Sequence, residues 1–193
     1  QFVKNHSVVV LTEANSNLYH DKFFNHTDRY IFNFSEEDFR TYAPDLLITI
    51  GQNVVSKKVK QFLRKAKPQN HWHIDEFWQP NTYFALTEEI RTKPEILFSQ
   101  LLKFAKLEPS PYFNLWDVLR DKKDAKHAEY CKSIGFSDLK IFEFLQEKIP
   151  ENYNIHFSNS STIRYAELFP FSKNHNIYCS RGTSGIDGST STA

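Results

Sequence analysis

The segment Asp45–Asp75, "DLLITIGQNVVSKKVKQFLRKAKPQNHWHID", carries the pattern that decides the fold. It opens on a compact apolar run, Asp45–Gln52, which predicts a buried β-strand. An amphipathic helix is expected next, with Val59, Phe62 and Leu63 on its inward face. The segment closes on "NHWHID", which predicts a further strand. Strand, helix and strand joined by short polar turns indicate a parallel sheet covered by helices.

The same alternation extends in both directions from this segment. Val8–Leu11 predicts an earlier strand, and the stretch Pro94–Lys148 is expected to be helical, with a charged connecting helix in its middle. After Pro150 the strand–helix order restarts in "NIHFSNSSTIRYAELFP" and "NIYCSRGTSGIDG". We therefore expect an α/β protein, a three-layer parallel sheet with helices on both faces, with a central domain over residues 1–150 and an incomplete second α/β domain over residues 151–193.

Composition excludes several classes of protein. The 193 residues carry a net charge of +1, which gives no general attraction to nucleic acid or to an anionic membrane. No apolar run is long enough to span a membrane. The two cysteines, Cys131 and Cys179, form no C-x-x-C pair, which favours a reduced, cytoplasmic chain. The chain contains no methionine and starts with Gln, so we expect a processed product or a piece of a longer protein.

The first candidate site is "SNSSTIR", Ser158–Arg164, which follows a predicted strand and opens a predicted helix. Ligands of parallel α/β sheets bind at this end of the strands. Asn159 is the expected N-cap, and Ser160 and Arg164 are four residues apart, so they are expected to share a helix face. The alternative is a polar cap followed by a surface arginine.

The second candidate is Arg181, which also follows a predicted strand and precedes three glycines at intervals of three residues, Gly182, Gly185 and Gly188. The spacing fits neither the dinucleotide-binding fingerprint nor the phosphate loop of NTPases. The planar guanidinium is suited to a carboxylate, and two strand ends that each offer an arginine suit a dianionic substrate. The alternative is a flexible terminal tail.

Lys57 is a third candidate, because it lies near another strand end and opens the predicted helix. The alternative is that it belongs to a solvated basic face. His71 and His73 alternate on a strand and face the same side, but no third ligand has suitable spacing for zinc. Asp187 alone among glycines is a weak magnesium ligand, so no metal site is assigned.

The C-terminal stretch "SRGTSGIDGSTSTA" closely resembles a signature of the 2-succinyl-5-enolpyruvyl-6-hydroxy-3-cyclohexene-1-carboxylate synthase (MenD) family. "SNSSTIR" is similar to a second segment of that family at nearly the expected separation. "LTEANSNL", "DLLITIGQNVVSKKVKQFL" and "HWHIDEFWQPN" resemble its central domain, so the likeness covers essentially the whole chain.

The resemblance implies a thiamine diphosphate-dependent transferase of menaquinone biosynthesis that also needs Mg²⁺ or Mn²⁺. Such an enzyme decarboxylates 2-oxoglutarate and adds the four-carbon unit to isochorismate, and works as a homodimer or homotetramer. This chain is expected to be the central domain and the start of the diphosphate-binding domain. The catalytic glutamate and the metal ligands are expected elsewhere, so the chain alone is predicted to be inactive.

Residue roles follow from the same resemblance. Asn159, Ser160 and Arg164 are implied to bind the carboxylate derived from 2-oxoglutarate. Arg181 is implied to contact a carboxylate of substrate or intermediate. Ile186 is the implied apolar support under the thiazolium ring. Lys57 matches a substrate-contacting lysine of the family's central domain. No role is assigned to Ser180. The alternative function is a non-catalytic α/β scaffold or ligand-binding module of another thiamine diphosphate enzyme.

Overall fold

The computed structural model describes residues 3, 7–51, 53–106, 108–180, 188 and 191. Arg181 and Ile186 therefore lie outside the described residues. The chain divides into two compact units, one formed by residues 1–9 and 31–117 and the other by residues 10–30 and 118–193. The domain boundary expected near Pro150 stays a prediction.

Seven strands and seven helices longer than one 3₁₀ turn are found in the described part of the chain. The strands are β1 (Val10–Leu11), β2 (Phe23–Phe24), β3 (Leu46–Ile50), β4 (Asn70–Ile74), β5 (Glu88–Ile90), β6 (Asn154–Phe157) and β7 (Asn176–Cys179). The helices are α1 (Thr27–Ile31), α2 (Glu36–Thr41), α3 (Lys57–Ala66), α4 (Pro94–Phe104), α5 (Tyr112–Ser133), α6 (Asp138–Lys148) and α7 (Ser161–Ala166).

The first unit contains the strand–helix–strand segment predicted from Asp45–Asp75. Strand β4 lies between β3 and β5, and both neighbours run parallel to it. Strand β3 is less buried than its apolar run predicts: Leu46 is 40% exposed and Ile50 is 50% exposed. The reason is its place at the edge of this sheet, where a strand has a paired neighbour on one side.

Helix α3 forms as its sequence predicts. The Ser56 hydroxyl caps it by accepting a hydrogen bond from the Val59 amide at 2.9 Å. Its inward side chains Val59, Phe62 and Leu63 are all buried. The Phe62 ring lies 6.0 Å from that of Trp116, centroid to centroid, within the range of favourable aromatic pairs. The apolar face of α3 is therefore packed against an aromatic core.

The second unit carries two parallel strand pairs, β1 with β2 and β6 with β7. The order of strand, turn, helix and strand predicted after Pro150 is present as β6, α7 and β7. All strand pairs in the described residues are parallel, which confirms the α/β class, although these strands form three small sheets. None of the described helices combines the length and the apolar character that crossing a membrane requires.

Candidate functional site

The carboxyl ends of β6 and β7 lie side by side in the second unit. Phe157 and Cys179 are partners in the parallel register. The ladder continues one step further, because the Ser180 amide donates to the Phe157 carbonyl at 3.2 Å. Ser158 and Ser180 therefore both leave the sheet at the carboxyl ends of its strands, which is where ligands of parallel α/β sheets bind.

A histidine that sequence reasoning missed lies near these carboxyl ends. Nε2 of His156 hydrogen-bonds to the Ser180 hydroxyl at 2.8 Å, which joins the two strand ends through side chains. The signal in the sequence was slight, since a single histidine in a short strand does not reveal its neighbour on another strand.

The turn from β6 into α7 differs from the predicted one. Ser160, and not Asn159, occupies the N-cap position, so the predicted Asn159 cap is wrong. Ser160 has φ 72° and ψ −124°, and its side chain makes no capping hydrogen bond. A positive φ is costly for a non-glycine residue, and in this geometry Ser160 precedes the helix and does not share a face of it with Arg164.

Arg164 lies within α7 and is half-buried. Its Nε is buried, and no described residue accepts a hydrogen bond from it. A buried guanidinium nitrogen without an acceptor is costly. Arg164 thus offers a donor for an anionic oxygen supplied from outside the described residues.

Lys57 is found in the first unit as the first residue of α3, and it is exposed. Its neighbour Lys58 lies over the Phe32 ring at 4.9 Å, and Lys60 donates to the Val54 carbonyl at 2.8 Å. Lys58 and Lys60 thus contact other groups of the first unit, which leaves Lys57 as the most accessible ammonium of the three. The second predicted arginine, Arg181, lies outside the described residues.

His71 and His73 lie in the interior of the first unit. Both are almost fully buried, at 0% and 2% exposure. The Thr49 hydroxyl lies 2.8 Å from Nε2 of His71 and 2.7 Å from Nδ1 of His73. Since a hydroxyl has one proton, it donates to one ring and accepts from the other. Sequence reasoning missed Thr49, which is opposite His73 in the register of β3 and β4.

The described residues offer no cluster of metal-ligating side chains. Among them, no three His, Cys, Asp or Glu side chains gather closely enough to hold a metal ion. Ile186, the one residue with an implied cofactor contact, lies outside the part of the chain that the structure describes, as does Asp187.

Three proteins that are similar to this chain carry the same name. No family model matches the chain. A 2-succinyl-5-enolpyruvyl-6-hydroxy-3-cyclohexene-1-carboxylate synthase of Flavobacterium johnsoniae is 45% identical over 192 residues, covering 100% of this chain and 35% of that protein. Synthases of the same name from Flavobacterium psychrophilum and Porphyromonas gingivalis are 42% and 35% identical, over 97% and 96% of this chain and 34% and 33% of those proteins.

The chain thus spans about one third of the length of the curated relatives that it matches. The match runs through both compact units, including the segments whose motifs indicated the family. The resemblance is confirmed: over its entire length this chain is a relative of the 2-succinyl-5-enolpyruvyl-6-hydroxy-3-cyclohexene-1-carboxylate synthases.

Proposed function

We propose that this chain is part of a thiamine diphosphate-dependent transferase of menaquinone biosynthesis. The complete enzyme decarboxylates 2-oxoglutarate and adds the four-carbon unit to isochorismate. The names of the relatives support this activity and do not favour a non-catalytic scaffold. In this proposal residues 1–150 are the central domain, residues 151–193 begin the diphosphate-binding domain, and the enzyme is a cytoplasmic homo-oligomer that uses Mg²⁺.

The observation that carries the proposal for the site is half-buried Arg164 on α7, the helix that follows β6, with its Nε unpartnered among the described residues. 2-Oxoglutarate is a dianion at neutral pH, and a guanidinium fork binds a carboxylate through two parallel hydrogen bonds. Asn159 and Ser160 lie in the turn just before α7. We assign all three residues to one carboxylate of 2-oxoglutarate.

The remaining site residues take the roles that the family resemblance implies. Arg181 follows Ser180 and contacts a carboxylate of the substrate or of the intermediate. Ile186 supports the thiazolium ring of the cofactor, where an apolar side chain suits a ring that is already cationic. Lys57 contacts substrate from the central domain.

The activity is tested on the full-length protein that carries this chain. We expect CO₂ release from 2-oxoglutarate and formation of the succinylated cyclohexene product, both requiring isochorismate, thiamine diphosphate and Mg²⁺. Carbon dioxide is measured by a coupled assay and the product by mass spectrometry. Purified, folded enzyme that leaves 2-oxoglutarate unconsumed in the complete mixture would contradict the proposal.

The 193-residue chain by itself is expected to bind thiamine diphosphate too weakly for micromolar titration and to show no turnover. The reason is that the family resemblance assigns the catalytic glutamate and the metal ligands to parts of the enzyme outside this chain. Calorimetric titration with cofactor and Mg²⁺ checks this, with the full-length protein as the positive control. A micromolar dissociation constant for the isolated chain would show that the cofactor site lies within it.

A further inference from the structure

The segment Glu13–Asn17 meets the β6–β7 sheet within the second unit. Strand β7 pairs with β6 through one of its edges. At its other edge, the Ile177 amide donates to Oδ1 of Asn17 at 2.7 Å, and the Ile177 carbonyl accepts from Nδ2 of Asn17 at 3.0 Å. The carboxamide thus supplies the acceptor and donor that a peptide group of a neighbouring strand would supply.

Asn17 is suited to this position by its backbone as well. It ends a short 3₁₀ helix, Ala14–Ser16, in the left-handed conformation with φ 54° and ψ 28°. Asparagine is one of the few residues that adopt this conformation readily. The backbone turn and the side-chain contact therefore both favour asparagine.

A buried carboxylate ties the same segment to α7. Glu167 follows the last residue of α7 and is 4% exposed. The Ala14 amide lies 3.0 Å from both Oε1 and Oε2 of Glu167. Burial and the nearby Glu13 carboxylate raise the pKa of Glu167. A carboxyl group in such surroundings is costly, which favours a specific positional role over a contribution to stability.

Both contacts act on elements that carry proposed site residues. Glu167 directly follows α7, three residues after Arg164, and Ile177 lies in β7, four residues before Arg181 in the sequence. A misplacement of about 1 Å in a substrate-binding group can lower activity by about 100-fold. A support attached to α7 and β7 is therefore able to set the geometry of the strand ends.

We propose that Asn17 and Glu167 are positioning residues for the carboxylate site: through their hydrogen bonds to Ile177 and Ala14 they hold β7 and α7 so that Arg164 and the carboxyl end of β7 keep a fixed relative position at that site. This inference rests on the proposed function, and the two residues themselves do not touch the substrate.

The test replaces each group in the full-length enzyme with variants that isolate the hydrogen bond. Asn17→Gly removes the carboxamide but keeps a residue that tolerates positive φ. Asn17→Asp keeps the acceptor for the Ile177 amide and loses the donor. Glu167→Ala removes the acceptor for the Ala14 amide, and Glu167→Gln restores a neutral one. Asn176→Ala is the matched control, because Asn176 is exposed on the same strand and its side chain bonds to Asn154.

We expect Asn17→Gly and Glu167→Ala to raise the KM for 2-oxoglutarate about 10-fold at a temperature where both are fully folded, and Asn17→Asp to lie between Asn17→Gly and wild type. Glu167→Gln and Asn176→Ala are expected to stay within about 2-fold of wild type. Amide hydrogen exchange, which does not depend on activity, should be at least about 10-fold faster at Ile177 in Asn17→Gly.

Different results separate the two proposals. If wild-type enzyme is active and Asn17→Gly and Glu167→Ala lower only the thermal midpoint, with KM unchanged, the residues are merely structural and the inference is wrong. Unchanged exchange at Ile177 in Asn17→Gly would overturn it as well, and a Glu167→Gln enzyme as impaired as Glu167→Ala would overturn the hydrogen-bonding role of Glu167. An inactive wild-type enzyme would refute the proposed function, and this inference with it.

Discussion

Replacing Arg164 by Ala in the full-length enzyme is expected to lower kcat/KM for 2-oxoglutarate by about 100-fold, which corresponds to about 2.7 kcal/mol of transition-state binding. Two charge-assisted hydrogen bonds to a carboxylate are lost, and each contributes about 1.5–3 kcal/mol, with part of the loss offset by water that enters the site. Steady-state kinetics with 2-oxoglutarate as the varied substrate measures the change.

The controls separate charge from geometry. Arg164→Lys keeps the positive charge but loses the planar fork, so it should recover only part of the activity. Lys173→Ala removes an exposed cation from the same unit and should leave kcat/KM unchanged. The same loss is predicted for Arg181→Ala. If KM and turnover stay at wild-type values in both arginine variants, the assignment of the carboxylate site is wrong.

Replacing Thr49 by Val is expected to lower the free energy of unfolding of the chain by about 2–3 kcal/mol, because two buried ring nitrogens lose a hydrogen-bond partner. Valine has nearly the same shape and favours strands, so the loss reports the hydroxyl. Urea denaturation measures the change as a lower midpoint at unchanged slope. Thr92→Val, outside the sheet in the same unit, is the control and should change stability by less than about 0.5 kcal/mol.

The same pair of histidines predicts a loss of stability in acid. Burial lowers the pKa of His71 to about 4, helped by the neighbouring His73, and burial also lowers the pKa of His73 although Asp75 acts in the opposite direction. On acidification, the two histidines of the folded state therefore bind protons at a lower pH than those of the unfolded chain, which titrate near pH 6.5. Stability should be full above about pH 6.5 and fall as the pH drops toward 4. Urea midpoints that stay constant across this range would contradict the buried, neutral pair.

Local sequence signals predicted much of the architecture. The predicted inward residues of α3 were correct because helix periodicity acts over three or four residues. The positions of β6, α7 and β7 were also correct. The extent of β3 burial was not, since an apolar run does not tell whether a strand lies at an edge or in the centre of its sheet.

The candidate site shows the same division. The sequence pointed to Ser158–Arg164, but it did not indicate that Ser160 takes positive φ at the cap, nor that His156 reaches Ser180 on the next strand. Glu167 passed unnoticed because its partner, the Ala14 amide, lies 153 positions away. A carboxylate in a helix end is ordinarily exposed, so no local pattern marks it as buried.

From its sequence alone this protein can be assigned an α/β class, its order of strands and helices, and its resemblance to the synthase family, because these depend on apolar periodicity, caps and short motifs that are contiguous in the chain. Only the tertiary structure decided that the Thr49 hydroxyl hydrogen-bonds to two histidines. It also decided that the Asn17 side chain hydrogen-bonds to Ile177 of β7, 160 residues away. Hydrogen bonds between distant segments depend on the path of the folded chain, and the sequence around either partner does not predict that path.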